Sequence, residues 1–134
     1  MKYTLTYPEP LRTQAVHQGN GQKLLTDAPR DNGGLGEAFS PTDLVSAGLA
    51  SCMMTILGLR AAQRNIEILG MEAEVEKQMS PHPRRIKRIS VELIVRLSGG
   101  DDSDRHWLRE EALACPVGLS LHPDVAQDIR IAFA

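Results

Sequence analysis

The sequence predicts an α+β fold in which antiparallel strands pack around one long apolar helix. Segments that alternate apolar and polar residues occur near the N-terminus, in the middle and at the C-terminus, as half-buried strands require. Between them, residues 42–63 are apolar on nearly every face, which is typical of a buried central helix. The order of strands, helix, strands, helix and strand favours antiparallel pairing.

The N-terminal segment predicts a small three-stranded sheet. Residues 2–7 alternate, residues 11–17 form a plausible second strand, and residues 23–26 a returning third. The turn Gly19-Asn20-Gly21 joins the last two, because glycine and asparagine tolerate positive φ. Residues 27–41 are rich in glycine and proline and form a loop, and an ordered loop of this length is often functional.

The long helix has a recognisable start. Ser40 or Thr42 can cap it, Pro41 fits its first turn, and Asp43 lies at the positive end of the helix dipole. It is apolar on nearly every face and turns polar only at Arg60, Gln63 and Arg64, so we expect it to be a central, buried helix.

The second half of the chain predicts two long strands, a helix and a last strand. Met71 to Val75 and Ile89 to Leu97 alternate as strands do. A helix over residues 103–114 would be capped by Asp102 or Ser103, with a short helical turn at 116–121 and a strand at 129–133.

Composition narrows the function classes. The chain has 134 residues, which suits one domain spanning 1–134. A net charge of -2 and 4% aromatic residues give no reason to expect nucleic acid or a membrane as partner. The N-terminus lacks the apolar core of a signal peptide, and the apolar stretch at 44–59 is too short and mixed to cross a bilayer. We therefore expect a cytoplasmic protein, in which two cysteines are free thiols or a redox pair.

The two cysteines occupy different settings. Cys52 lies within the apolar helix, where a cysteine is most often a packing residue. Cys115 precedes Pro116, so it would cap a helix whose dipole lowers its pKa. They lie 63 positions apart (115 minus 52), and this spacing alone does not say whether they meet. Two thiols with four scattered histidines do not predict a metal site.

Two motifs around these cysteines resemble the OsmC/Ohr family. The motifs, as they stand in this chain, are Gly36-Glu37-Ala38-Phe39-Ser40-Pro41-Thr42-Asp43-Leu44 followed by Ala50-Ser51-Cys52-Met53, and Ala114-Cys115-Pro116-Val117 followed by Ser120-Leu121-His122-Pro123. The resemblance implies an OsmC-like α+β fold, an intertwined homodimer with active sites at the subunit interface, and thiol-dependent reduction of organic hydroperoxides, with hydrogen peroxide as an additional candidate substrate.

The resemblance also implies roles for both thiols. Cys52 would attack the peroxide and become a sulfenic acid, and Cys115 would condense with it to a disulfide. An external dithiol, which is a lipoyl group in the Ohr branch, would restore both thiols. No metal or bound cofactor is implied.

A cation must offset the cost of ionising a thiol in an apolar helix. The family uses an N-terminal arginine held by a carboxylate near the start of the central helix. Arg12 is the best match and Arg30 its rival. Asp43 and Glu37 are the candidate carboxylates, because Thr42 stands where the Ohr pattern has glutamate.

Two alternatives to a peroxidase follow from the sequence. The first is a sensing or binding protein: a redox sensor without turnover, or a protein whose apolar pocket around Met53, Met54 and Leu57 holds a small hydrophobic molecule. The second is a structural protein with two inert thiols.

Overall fold

Three antiparallel strands open the computed structural model, which describes residues 2–134. They are β1 (Tyr3–Glu9), β2 (Arg12–His17) and β3 (Lys23–Asp27), and they form a sheet in the order β1-β2-β3. The strands and the turn between β2 and β3 lie where the sequence predicts them. This sheet belongs to a first compact unit that ends at Val45.

The glycine-rich loop leads from β3 into the long helix. It contains one 3-10 turn, Arg30–Asn32, and then reaches α1 (Pro41–Gln63). Ser40 Oγ accepts from the Asp43 backbone N–H at 3.1 Å, and the Asp43 carboxylate accepts from the Ser40 N–H at 2.9 Å. This reciprocal pair is a capping box, so the predicted Ser40 cap is confirmed.

A second compact unit spans Ser46–Ala134. Its sheet contains β4 (Glu67–Pro81), β5 (Arg84–Ser98) and β6 (Ala126–Phe133), in the order β4-β5-β6. The α+β class is confirmed, but antiparallel pairing is wrong for one pair, because β6 runs parallel to β5. The physical reason is the helical crossover between them, which returns the chain to the same end of the sheet before β6 begins.

The crossover consists of α2 (Asp102–Leu113) and α3 (Pro116–Ser120). The cap of α2 is Asp101, not Asp102 or Ser103 as predicted. The Asp101 carboxylate accepts from the Asp104 backbone N–H at 2.9 Å, and the Asp104 carboxylate accepts from the Asp101 backbone N–H at 3.0 Å. A capping box needs a partner three residues along, and Asp104 supplies it only for Asp101.

One face of α1 fills the core of the second unit. Leu49, Met53 and Leu57 are fully buried against residues of β5 and against Leu108 of α2. Burying each such side chain is worth about 1.5–3 kcal/mol. Leu59, on another face of α1, is 53% exposed. In the single chain the helix is therefore buried on one face and not on nearly every face.

By length and mean hydropathy (1.6), α1 would qualify as a membrane span, contrary to the expectation that it is too short and mixed. The core helix of a soluble protein passes the same test, and α1 contributes several of the buried core residues. The expectations of a single domain and of a cytoplasmic location stay predictions.

Candidate functional site

Cys52 lies on α1 at the margin of the core. Its neighbour Met53 is fully buried, whereas Cys52 is partly exposed. Successive residues of an α-helix are rotated by about 100°, so burial of Met53 turns Cys52 toward the rim of the packed face. The thiol is therefore in contact with the core on one side and accessible on the other.

Cys115 lies inside the same core. It caps α3 with an extended backbone, as the Cys-Pro sequence predicts, and its exposure is 0%. The backbone N–H of Gly118 donates to the Cys115 Sγ at 3.3 Å. The sulfur is thus held between one amide donor and apolar neighbours.

The fold brings the two thiols together. Both are free, and they are close enough for the Cys52 thiol to affect the pKa of the Cys115 thiol. Sequence spacing left this open, and the crossover settles it, since Cys115 lies in the core cluster against which Cys52 packs. Such a pair can support oxidation of one sulfur and condensation by the other.

Burial raises the pKa of the Cys115 thiol, and the neighbouring Cys52 thiol raises it further, whereas the Gly118 N–H lowers it. The predicted lowering by the helix dipole is wrong. The backbone amides of Val117 and Gly118 at the start of this five-residue helix do not offset complete removal of the sulfur from water. Cys115 is therefore a neutral thiol at neutral pH.

Gly118 completes the enclosure of Cys115. A Cβ there would lie 3.1 Å from the Gln127 Oε1 and 3.4 Å from the Cys115 Sγ, which leaves little room. The Gln127 side chain donates to the Gly118 carbonyl at 3.0 Å and so ties α3 to the start of β6. Sequence reasoning missed Gln127, which no motif marks.

Arg12 is held by a buried carboxylate in the first unit. Its Nε and Nη2 donate to the two oxygens of Asp27 at 2.7 and 2.8 Å. Asp27 is 1% exposed, and its Oδ2 also accepts from the Glu37 backbone N–H at 3.0 Å. The hydrogen bonds from Arg12 lower the pKa of Asp27 despite its burial, so the pair is charged.

Asp27 is the residue that sequence reasoning missed. It lies directly opposite Arg12 in the β2–β3 register, so the predicted hairpin already contained the signal. Of the two predicted carboxylates, Glu37 approaches Arg12 Nη2 at 3.8 Å, and Asp43 is engaged in the α1 capping box. Arg12 also meets exposed Glu9 at 3.3 Å.

The rival arginine has a different task. Arg30 is exposed, and its Nε donates to the Leu35 carbonyl at 3.2 Å, which closes the glycine-rich loop. Among residues 2–134, no three histidine, cysteine, aspartate or glutamate side chains are grouped so as to hold a metal ion.

The family model described as OsmC-like protein matches residues 34–130, most of the chain and both cysteines. The chain belongs to the OsmC-like family. A Psychrobacter arcticus 273-4 protein, provisionally named as osmotic stress induced and of the detoxification response, is 43% identical. That alignment covers 98% of this chain and 95% of the other, with a TM-score of 0.91. Among curated proteins, none matches the chain.

More distant structures share the fold of this OsmC-like protein. An organic hydroperoxide resistance protein from Legionella pneumophila is 21% identical to this chain. The alignment covers 98% of this chain and 97% of the other, with a TM-score of 0.67. The organic hydroperoxide resistance protein OhrB of Bacillus subtilis is also 21% identical, with 98% of both chains covered and a TM-score of 0.64.

We expect Asp27→Asn to destabilise the protein at neutral pH, because the Arg12 guanidinium loses its charged partner in a buried site. The folded-state pKa of Asp27 is lowered from 3.8, so its contribution is complete above that value and is lost as the pH falls through the lower folded pKa. Urea unfolding from pH 7 to pH 2 measures this. The gap between wild type and variant should be constant at neutral pH and close in acid.

The matched control is Glu37→Gln, whose side chain is 63% exposed and 3.8 Å from Arg12. It should leave the unfolding midpoint nearly unchanged. A gap for Asp27→Asn that persisted unchanged to pH 2 would contradict the assignment of a charged Asp27.

Proposed function

We propose that this protein is a thiol peroxidase that reduces organic hydroperoxides. The observation that carries the proposal is the pair of free thiols held within reach of each other, one partly exposed and the other enclosed. Structural relatives named organic hydroperoxide resistance proteins support the substrate class. Hydrogen peroxide is a smaller substrate for the same chemistry.

The chemistry divides between the two sulfurs by their accessibility. The Cys52 thiolate attacks one peroxide oxygen, the O–O bond breaks, and the alcohol leaves after taking up a proton. Cys52 is then a sulfenic acid. Cys115 attacks its sulfur, the S–O bond breaks, and water leaves as the Cys52–Cys115 disulfide forms. An external dithiol, for which a lipoyl protein is one candidate, returns two electrons and restores both thiols.

Arg12 is the cation that we propose for stabilising the Cys52 thiolate. The pKa of Arg12 is raised by its hydrogen bonds to Asp27, so the guanidinium is charged at neutral pH. In this proposal Asp27 takes the place of the family's carboxylate at the helix start and presents the guanidinium in one fixed orientation. Glu37 and Asp43 are then secondary.

We also propose that the protein is a homodimer. Alternate residues of β1 leave one face of that strand strongly apolar and exposed, with Tyr3 at 65%, Leu5 at 63% and Tyr7 at 63%. Leu24 of β3 adds to that face at 47%. Apolar side chains of this size stabilise an interface by about 1.5–3 kcal/mol each when buried, which argues for a second copy as their cover.

Sedimentation velocity tests the dimer. Wild type should sediment at twice the chain mass, and Leu5→Glu should shift it to the monomer because a carboxylate replaces an apolar contact. Thr6→Glu is the control, since Thr6 lies on the other face of β1. A monomeric wild type at tens of micromolar, an order of concentration at which obligate dimers are assembled, would remove this part of the proposal.

The two cysteine variants test the peroxidase itself. Cys52→Ser should lose consumption of cumene hydroperoxide in the presence of a dithiol, because no accessible sulfur remains. Cys115→Ser should consume one equivalent and then stop, with mass spectrometry showing a sulfenic acid or its further oxidation products on Cys52. Activity retained by Cys52→Ser would falsify the assignment. Wild type that oxidises once and does not turn over with any dithiol would instead identify a redox sensor.

Substitutions around Arg12 test its role in the reaction at Cys52. Arg12→Ala should lower the rate of that reaction at pH 7 about tenfold, which corresponds to about 1.4 kcal/mol of lost stabilisation. Asp27→Asn should lower the rate in the same direction, with smaller losses for Glu37→Gln and Asp43→Asn. Stopped-flow single-turnover assays with cumene hydroperoxide at pH 7 provide the rates, and a larger loss in Asp43→Asn than in Asp27→Asn would overturn the ranking.

A further inference from the structure

The enclosure of Cys115 has a consequence for the reductive half of the cycle. A disulfide offers two sulfurs to a reductant, and the sulfur that is attacked depends on access and on the leaving thiol. Cys115 is 0% exposed within the core cluster, whereas Cys52 is partly exposed on α1. Access therefore distinguishes the two sulfurs before any difference in their chemistry is considered.

The direction of approach distinguishes them further. Displacement at a disulfide sulfur requires the incoming sulfur to arrive opposite the leaving one. At Cys52 the leaving sulfur lies on the core side, so the incoming thiolate arrives from the outside, by the route that a peroxide must use. At Cys115 the incoming thiolate would have to arrive from within the core, which side chains such as Leu49 and Leu108 fill.

The protein also supplies a group for the departing sulfur. The Gly118 N–H points at the Cys115 Sγ at 3.3 Å, and the Gln127 side chain holds the Gly118 residue in place through a 3.0 Å bond to its carbonyl. Negative charge that develops on Cys115 as the S–S bond breaks is met by this amide.

We propose, as a deepening that rests on the proposed function, that the external dithiol attacks the Cys52 sulfur alone and that Cys115 is the leaving thiol in every cycle. One thiolate of the reductant forms a bond to Cys52, the Cys52–Cys115 bond breaks, and its electron pair leaves on Cys115, which takes up a proton. The second thiolate of the reductant then attacks its own first sulfur. Cys52 leaves as thiolate, and the reductant departs as a cyclic disulfide carrying away the oxidation.

The test starts from a disulfide made without peroxide. Diamide oxidises the wild-type protein, a short exposure to 2-mercaptoethanol forms the mixed disulfide, and acid with rapid alkylation stops exchange. Trypsin cleaves after Arg30 and Arg60 to release the Cys52 peptide, and after Arg109 and Arg130 to release the Cys115 peptide. Mass spectrometry should find at least about tenfold more adduct on Cys52 than on Cys115, given the difference in access.

Single-cysteine proteins give a second measurement that does not depend on the wild-type disulfide. Cys115→Ser leaves Cys52 alone, and Cys52→Ser leaves Cys115 alone. Each is linked to thionitrobenzoate in denaturant, refolded and treated with dithiothreitol, and the release of the coloured thiol is followed. Release from Cys52 should be at least about tenfold faster than from Cys115 in folded protein, and the two rates should match in denaturant.

The outcomes separate this inference from the proposed function. Adduct mainly on Cys115, or equal release rates in the folded proteins, overturns the inference and leaves the peroxidase proposal standing. If the adduct forms on Cys52 but the thiols do not react with hydroperoxide, the inference is supported and the peroxidase proposal is wrong. Failure of diamide to join Cys52 and Cys115 at all overturns both.

Discussion

The packing of one face of α1 on the β4-β5-β6 sheet is the constraint from which the arrangement of the second unit follows. Because Leu49, Met53 and Leu57 are buried in the core, the rotation of the helix about its axis is fixed. Cys52 then lies at the rim of the buried face of α1. The same core receives the end of the crossover, so Cys115 lies in the cluster against which Cys52 packs. A helix turned by one residue would bury Cys52 in place of Met53.

Burial has opposite outcomes at two polar groups of this protein. Asp27 is buried and charged, because Arg12 donates two hydrogen bonds to it and the cost of removing the carboxylate from water is offset. Cys115 is buried and neutral, because the backbone amides at the start of α3 do not offset the same cost and the neighbouring thiol adds to it. The number and charge of the donors decides the protonation state in each case.

Most of the fold could be predicted from local patterns, because alternation and capping depend on residues close in sequence. The helix start at Ser40 and the cap at Cys115 belong to this class. The parallel pairing of β6, the contact between the cysteines and the role of Gln127 depend on where distant segments meet. Asp27 lies between these cases, since extending the predicted hairpin register by one pair would have placed it opposite Arg12.

The long β4–β5 hairpin extends beyond the third strand of its sheet. Within the described residues, β6 pairs with β5 from Arg88 to Val95, so the segment of β5 that begins at Arg84 has β4 on one side only. A free edge of this kind invites strands of other molecules to add on. The segment reads Arg84-Arg85-Ile86-Lys87, and bringing two such edges together would crowd like charges. The basic run thus disfavours the pairing of two such edges.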